Sequence, residues 1–161
     1  PDIDDGFIDY NFTLSTYINE IIKSFQNISK KKIFFQNNQN TNPIKLKRSI
    51  EIIYGLRNFI GNANKFSKEK IFITLNSDSE NTEVIIEDDG DGFSRDILDK
   101  IGEPYIRSKE KITNKSGLGL GIFIGGTLLE RNYAKVICRN SLTRNGAEVI
   151  IRWKNQDLKS I

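Results

Sequence analysis

The sequence feature that most constrains the fold is a long amphipathic segment, residues 47–67, followed closely by two short apolar runs. Within this segment apolar residues such as Leu56 and Ile60 recur at three- and four-residue intervals, which predicts a helix with one buried face. The runs at 71–75 and 84–87 predict two strands. These elements must pack as layers if they are to bury their apolar faces.

The other elements follow from similar patterns. Residues 7–12 alternate like a strand, and Thr13 or Ser15 can cap a following helix. The remaining predicted elements are a short strand at 33–35, a loop at 36–42, a short helix at 94–100, a polar loop at 101–116, a helix at 118–131 and an antiparallel strand pair at 134–139 and 147–153. This order predicts one α+β domain spanning residues 1–161, a two-layer sandwich with helices on one face of a mixed, mostly antiparallel sheet.

Composition indicates a soluble globular domain. The chain has 161 residues, of which 37% are hydrophobic and 28% charged, and its longest apolar stretch, 118–129, is too short to cross a bilayer. The net charge of +3 is mild, and the lysines lie among acids and amides, so nucleic acid is not an expected partner. The single cysteine, Cys138, excludes an internal disulfide and fits a reducing compartment.

The first candidate site lies on a polar face of the long helix. Asn58 and Asn62 are one turn apart and share a face, with Lys65 nearly one turn further on. Amide oxygens can ligate Mg²⁺ without adding charge beside phosphates, and a lysine can contact phosphates as a point cation. An ordinary solvated helix surface is the alternative.

The second candidate site is the glycine-rich segment 88–93, which ends an apolar strand. A carboxylate fixed there, such as that of Asp88, can accept a hydrogen bond from an exocyclic amine, and the adjacent glycines allow a flat base to approach the backbone. A calcium loop is excluded, because an EF-hand register would place Leu98 where a bidentate glutamate is needed. A simple turn remains as the alternative.

The third candidate site is the run from Ser116 to Gly121 at the start of an apolar helix. Backbone amides at a glycine-rich helix N-terminus form a natural anion site. A dinucleotide-binding turn needs a preceding apolar strand, whereas residues 107–115 are polar and charged; a Walker A loop is excluded because no Gly-Lys-Ser/Thr follows the glycines. Gly121 and Gly125, four residues apart, predict close packing of this helix.

The order of these sites resembles a known family. An asparagine-bearing helix, then Asp-x-Gly-x-Gly, a loop and Gly-x-Gly-Leu resemble the N, G1, F and G2 boxes of histidine sensor kinases, within the GHKL group of ATP-binding domains. The stretches similar to RegB/PrrB-type redox-responsive sensor kinases are 54–58, 102–105, 118–124 and 127–131. The resemblance spans residues 7–153 and implies a Bergerat-type α/β sandwich with a linker at 1–6, a flexible ATP lid at 101–116 and a tail at 154–161.

The resemblance also implies roles for single residues. Asn62 would ligate Mg²⁺, with Asn58 as a supporting polar group and Lys65 as a phosphate contact, and Asp88 would accept the adenine amine. The implied catalytic set is Asn58, Asn62, Lys65 and Arg107. The other implied nucleotide-binding residues are Phe66, Gly90, Gly92, Ile97, Tyr105, Ser116, Gly117, Leu118, Gly119 and Leu120.

By the same resemblance the chain is the Mg-ATP-binding catalytic domain of a two-component sensor kinase. The sequence contains no histidine, so the phosphoacceptor would be a histidine on a dimerisation helix of the same protein or its dimer mate. The phosphoryl group would then pass to a response regulator. The domain would lie in the cytoplasm as part of an inner-membrane bacterial sensor, without membrane contact of its own.

Two alternatives differ in chemistry. GHKL ATPases of the gyrase, chaperone or mismatch-repair kind place a water-activating glutamate one turn before the metal asparagine, where this sequence has Asn58, so fast hydrolysis is not expected. A nucleotide sensor or degenerate kinase would bind ATP without transferring it. Two departures from the family pattern concern the site: Lys115 and Ser116 precede Gly117 where a glycine is usual, and Ala147 stands where many relatives carry threonine.

Overall fold

The computed structural model describes residues 12–39, 42–101 and 118–161. Within these ranges the strands are β1 (Lys32–Gln39), β2 (Lys70–Ser77), β3 (Asn81–Asp88), β4 (Lys135–Asn140) and β5 (Ala147–Lys154). The helices are α1 (Leu14–Gln26), α2 (Ile50–Phe66), α3 (Arg95–Ile101), α4 (Leu118–Arg131) and α5 (Asn155–Leu158). The strands form one sheet in the order β1-β2-β3-β5-β4, in which β1 and β2 are parallel and the other neighbours antiparallel. The predicted mixed, mostly antiparallel sheet is confirmed.

The two long helices on the N-terminal side begin at side-chain caps. Thr13 accepts a hydrogen bond from the Thr16 amide at 3.2 Å, and Ser49 accepts one from the Ile52 amide at 3.2 Å. Each cap satisfies an amide that the first helical turn leaves without a carbonyl partner. The buried stripe of α1 is Leu14, Tyr17, Ile18, Ile21 and Ile22. Caps and apolar spacing therefore agree on where these helices lie.

One face of the sheet is buried beneath the helices. Residues alternate along β2 between buried and partly exposed positions, with Ile71, Ile73 and Leu75 facing inward. Trp153 of β5 is fully buried and donates its indole N–H to the carbonyl of Asn132 at 3.0 Å. Each such side chain stabilises the fold by about 1.5–3 kcal/mol through burial, so the sheet is held against the helical layer mainly by apolar contact.

Helix α4 packs closely against α2, and glycines make the approach possible. A Cβ on Gly55 would lie 2.6 Å from Cγ of the buried Leu129, and one on Gly125 would lie 2.8 Å from the Phe59 ring. A Cβ on Gly121 would meet the side-chain amide of Asn62 at 2.9 Å. The predicted close packing of the Gly121 helix is confirmed, and its partner is the helix that carries the candidate asparagines.

Several predicted boundaries differ from the structure. The predicted loop at 36–42 is wrong for residues 36–39, which continue β1 in register with Thr74–Ser77. Backbone pairing with β2 extends the strand, while the polar side chains remain at the sheet edge. Of the predicted strand at 7–12, only Phe12 lies within the described residues, and it forms an antiparallel bridge with Leu46.

The C-terminal residues add a short helix to the domain. Leu158 of α5 is buried, and the Asn155 side chain donates to the carbonyl of Asp78 at 2.8 Å and accepts from the Thr82 hydroxyl at 2.7 Å. This segment therefore packs against the β2–β3 turn. No helix in the described part of the chain is long and apolar enough to cross a membrane.

Two glycines of α2 are expected to respond oppositely to alanine. Gly55→Ala should lower the free energy of unfolding by roughly 1–2 kcal/mol, because the new methyl group overpacks against buried Leu129. Gly61→Ala should raise it by about 0.5–1 kcal/mol, because its Cβ would lie at an ordinary 3.5 Å from Phe25 and alanine favours helix. Urea unfolding of both variants tests this; equal effects would contradict the α2–α4 contact.

Candidate functional site

A solvent-open pocket lies between α2, β3, β5 and the first turns of α4. Its lining residues are Phe59, Asn62, Ala63, Phe66, Ile86, Asp88, Gly92, Phe93, Ile122, Ala147 and Val149. Asn62 and Asp88, which come from two separate sequence motifs, therefore line one pocket. The rest of the wall is largely apolar, an arrangement that suits a flat ligand oriented by few polar contacts.

Asp88 is the last residue of β3, and only 4% of its surface is exposed. Its Oδ1 accepts hydrogen bonds from the amides of Gly90 at 2.9 Å and Ala147 at 3.3 Å. Burial raises the pKa of Asp88 above its ordinary value of 3.8, and these amides oppose the rise without cancelling it. Among the described residues the hydrogen bonds to this carboxyl group fall on Oδ1, so Oδ2 is the oxygen left for a ligand.

Glycines around Asp88 are required by the packing of the backbone itself. A Cβ on Gly90 would overlap the carbonyl oxygen of Phe66, and one on Gly146 would overlap the carbonyl oxygen of Asp88. Gly92 has a φ of +79°, in the region that favours glycine. Gly92 lines the pocket, whereas Gly90 supports Asp88 from the side of α2.

Asp89, the next residue, has a different environment. Its carboxylate accepts hydrogen bonds from the amides of Lys68, Glu69 and Lys70 at 2.8–3.2 Å. Partial burial raises the pKa of Asp89, but these three amides outweigh that effect and hold it below 3.8. Asp89 therefore stabilises the start of β2 through these hydrogen bonds, and Asp88 is the aspartate that lines the pocket.

Asn62 is a polar residue on another wall of the same pocket. Its Nδ2 is buried and has no hydrogen-bond partner among the described residues. An unpaired buried amide group costs about 1–3 kcal/mol. An amide oxygen is a suitable ligand for Mg²⁺, which usually takes one or two protein oxygens together with phosphates and water, so the chemistry of this position fits a metal bound with phosphates.

The other predicted site residues are more dispersed. The Asn58 amide donates to the Tyr54 carbonyl at 2.8 Å, its Cβ lies beside Gly125, and the residue does not line the pocket. The ammonium of exposed Lys65 lies 5.2 Å from the ring centroid of Phe66, which does line the pocket. Ile97 packs partly buried against the core. In α4, which Leu118 begins, Gly119 is buried and Leu120 partly exposed. Tyr105, Arg107, Ser116 and Gly117 lie outside the described residues.

Sequence reasoning missed several residues that shape the pocket. Ile86 has a recoverable signal, since it lies two residues before Asp88 and so on the same face of the strand. Ala147 was singled out only as a departure from the family pattern, and it lines the pocket. Asn140 has no local signal. Its side chain binds the backbone of Phe93, which is far away in the sequence, and accepts from the amide at 2.7 Å and donates to the carbonyl at 3.1 Å.

A match to a known protein family shows which family the chain belongs to. The profile of the histidine kinase-, DNA gyrase B- and HSP90-like ATPases matches residues 48–157, more than half of the chain. The chain belongs to this ATPase family. The matched segment contains both Asn62 and Asp88, and membership of the family supports the use of ATP.

Individual members of this ATPase family point to sensor kinases. The sensor histidine kinase RegB of Cereibacter sphaeroides is 36% identical over 105 residues, which cover 62% of this chain and 22% of RegB. Sporulation kinase A of Bacillus subtilis is 32% identical over 74 residues, covering 46% of this chain and 11% of that protein. The chain thus spans about a fifth of the length of RegB.

Solved structures of this ATPase family share the fold. The catalytic domain of histidine kinase ThkA has a TM-score of 0.70 at 24% identity, covering 91% of this chain and 96% of that domain. The mycobacterial sensor histidine kinase MprB has a TM-score of 0.64 at 15% identity, covering 89% and 95%. The predicted α/β sandwich of the GHKL type is confirmed.

Replacing Asp88 with asparagine is expected to stabilise the nucleotide-free protein at neutral pH. The raised pKa means that the ionised side chain disfavours the folded state above pH 3.8, whereas an amide keeps the Oδ1 acceptor without the charge. The gain in unfolding free energy for Asp88→Asn should be full at pH 7 and shrink as pH falls toward 3.8. Urea unfolding across this pH range measures it; a destabilised variant at pH 7 would contradict the burial argument.

Asp89→Asn provides a matched control of opposite sign. Because the pKa of Asp89 is lowered, its ionised form stabilises the fold above pH 3.8, and that contribution is lost as pH falls through the lowered value. The variant should therefore be less stable than wild type at pH 7, and the deficit should fade in acid. Stabilisation by both substitutions would indicate a general effect of net charge.

Proposed function

We propose that the chain is the Mg-ATP-binding catalytic domain of a sensor histidine kinase and transfers the γ-phosphoryl group of ATP to a histidine outside this chain. The observation that carries the proposal is that Asn62 and Asp88 line one pocket with largely apolar walls. Similarity to sensor kinases such as RegB supports it. The sequence has no histidine of its own to phosphorylate.

Asp88 suits the adenine end of the nucleotide. A buried carboxylate oxygen can accept a hydrogen bond from the exocyclic amine of adenine, and a charged hydrogen bond of this kind contributes about 1.5–3 kcal/mol. Ile86, Phe93 and Ala147 provide apolar surface beside it. The same carboxylate would face an acceptor oxygen in guanine, so the pocket favours a base that donates at this position.

Asn62 suits the phosphate end. Its Oδ1 is an acceptor that can ligate a cation, and Mg²⁺ bound with ATP supplies the charge neutralisation that phosphoryl transfer requires. The first turn of α4 lies beside Asn62, as the Gly121 contact indicates, and the partial positive charge of a helix N-terminus favours anions there. Lys65 is a further cation next to Phe66 at the pocket wall.

The residue one turn before Asn62 favours transfer of the phosphoryl group to a protein side chain over hydrolysis of ATP. A fast ATPase needs a general base to activate water. The position one turn before Asn62 is Asn58, whose amide is not basic and is hydrogen-bonded to the Tyr54 carbonyl. Phosphoryl transfer depends mainly on positioning and charge neutralisation, which the pocket can supply to an incoming imidazole without a base of its own.

The partners follow from this reaction. A histidine on a dimerisation helix, in the same protein or in its dimer mate, would approach the γ-phosphate, and the phosphohistidine would then supply a response regulator. The match covers about a fifth of RegB, and we propose that the histidine helix lies in a longer bacterial sensor protein of the inner membrane, with this domain on the cytoplasmic side.

Asp88→Asn is expected to weaken ATP binding by roughly ten- to hundredfold, as loss of a charged hydrogen bond worth about 1.5–3 kcal/mol implies. Isothermal titration with Mg-ATP measures the affinity. Since the same substitution is expected to stabilise the free protein, a loss of affinity cannot be attributed to misfolding. Near-wild-type affinity in a folded Asp88→Asn protein would reject the adenine assignment.

Asn62→Ala is expected to impair Mg-dependent transfer by roughly ten- to hundredfold, the range seen when metal sites lose supporting groups. The assay mixes the domain with Mg-ATP and a dimeric histidine-helix fragment of the parent protein, and measures acid-labile phosphate. Asn64→Ala is the matched control on α2, because Asn64 accepts from the Ser29 hydroxyl at 2.6 Å and does not line the pocket.

The results of this assay test the role of Asn62 and distinguish a kinase from an ATPase. Transfer that survives in Asn64→Ala and fails in Asn62→Ala supports the metal assignment, whereas equal rates in both variants reject it. Steady-state ATP hydrolysis comparable to that of gyrase-like ATPases, with no phosphate on the histidine fragment, would reject the kinase proposal itself.

A further inference from the structure

Asn140, at the end of β4, occupies both hydrogen-bonding groups of the Phe93 backbone. Its Oδ1 accepts from the Phe93 amide at 2.7 Å, and its Nδ2 donates to the Phe93 carbonyl at 3.1 Å. One side chain thus provides the pair of bonds that a neighbouring strand would otherwise provide. Phe93 itself is 6% exposed and lines the pocket next to Gly92.

The turn between Asp88 and Phe93 depends on this contact for its shape. Gly92 holds a φ of +79°, and a Cβ there would lie 2.6 Å from the Asn140 Oδ1, so the backbone passes directly over the asparagine amide. Adjacent Ser141 donates to Glu87 Oε2 at 2.7 Å. The end of β4 therefore holds both ends of the turn, one beside Asp88 and the other at Phe93.

We infer that Asn140 is a positioning residue of the nucleotide site, which holds the Gly92–Phe93 wall at the distance that the adenine ring requires. This inference rests on the function proposed above. Asn140 acts only through the Phe93 backbone, and it is not among the residues that line the pocket. Its contribution therefore belongs to the base end of the site and leaves the Asn62 end unchanged.

The hydrogen bonds of Asn140 affect ligand affinity through the fraction of protein molecules in which Phe93 is in place. Without the amide, the Phe93 N–H and carbonyl lose their partners, and the Gly92 turn has other conformations of similar energy. A ligand that binds only the arrangement with Phe93 in place then has an apparent dissociation constant raised in proportion to the lost population. The rate of a step at the γ-phosphate, once ATP is bound, does not depend on that population.

A purely structural role predicts a different result. Phe93 directly precedes Ser94, which accepts from the amides of Ile97 and Leu98 and so begins α3. If Asn140 served only to hold α3, its loss would lower stability without a selective effect on base binding. The distinction is measurable because binding and stability can be compared with a control that loses an equivalent amide elsewhere.

Asn132 provides that control. Its Nδ2 donates to Glu51 Oε2 at 3.0 Å and to the Leu128 carbonyl at 2.9 Å. Asn132 directly follows the C-terminal end of α4, whereas Asn62 lies beside its N-terminal end. A helix of 14 residues separates these two ends by about 20 Å. Asn132→Ala therefore removes an asparagine with two hydrogen bonds while leaving the pocket intact.

The test compares wild type, Asn140→Ala, Asn132→Ala and Asp88→Asn by titration with adenosine and with Mg-ATP, and by transfer to the histidine-helix fragment. Asn140→Ala is expected to weaken adenosine and ATP by the same factor, about tenfold, equivalent to about 1.4 kcal/mol, and to raise KM without lowering kcat at saturating ATP. Asn132→Ala should lower the urea midpoint and leave both affinities unchanged.

Asn140→Asp is the second variant, in case the alanine protein does not fold. It keeps the acceptor for the Phe93 amide but replaces the donor with a carboxylate oxygen that faces the Phe93 carbonyl, so adenosine affinity should again fall. Wild-type adenosine affinity in either folded variant, with Asp88→Asn still defective, overturns the inference and leaves the proposed function standing. A wild-type protein that binds neither adenosine nor Mg-ATP overturns both.

Discussion

The carboxyl group of Asp88 is buried where β3 ends, and the surrounding backbone is arranged to hold it there. A carboxylate taken out of water is stable only if hydrogen bonds replace its hydration, and the amides of Gly90 and Ala147 provide two. Those amides can reach Oδ1 because Gly90 and Gly146 carry no side chain where the chain passes closest. Gly90 of the Asp-x-Gly-x-Gly motif and Gly146 outside it are thus required by the protein's own backbone.

Asp88 and Asp89 show how neighbouring residues of one type divide into binding and structural roles. Three backbone amides favour the charge on Asp89 and anchor the start of β2, whereas burial disfavours the charge on Asp88. A residue that lowers the stability of the free protein is retained most simply for what it binds. The opposite directions of the two pKa shifts agree with where the side chains lie, since Asp88 lines the pocket and Asp89 does not.

Much of the fold could be predicted from sequence because its signals are local. The 3.6-residue period of α2 and the apolar runs of β2 and β3 locate these elements to within a few residues. The extension of β1 through Gln39 could not be predicted, because its side chains are polar and only pairing with β2 defines the strand. The contact of Asn140 with Phe93 was equally inaccessible, since it joins segments far apart in the chain and follows no periodic pattern.

The polar side chains of the pocket limit the ligand in a way that neither motif reveals alone. Asp88 offers a carboxylate acceptor, and Asn62 offers a side-chain amide whose Nδ2 has no hydrogen-bond partner among the described residues. A ligand that fills the pocket must therefore bring a donor to the Asp88 end, and a metal-bound phosphate suits the amide at the Asn62 end. An adenine nucleotide complexed with a divalent metal has both. The unpaired Nδ2 of Asn62 costs the free protein stability, so this side chain, like that of Asp88, is better explained by a ligand than by the fold.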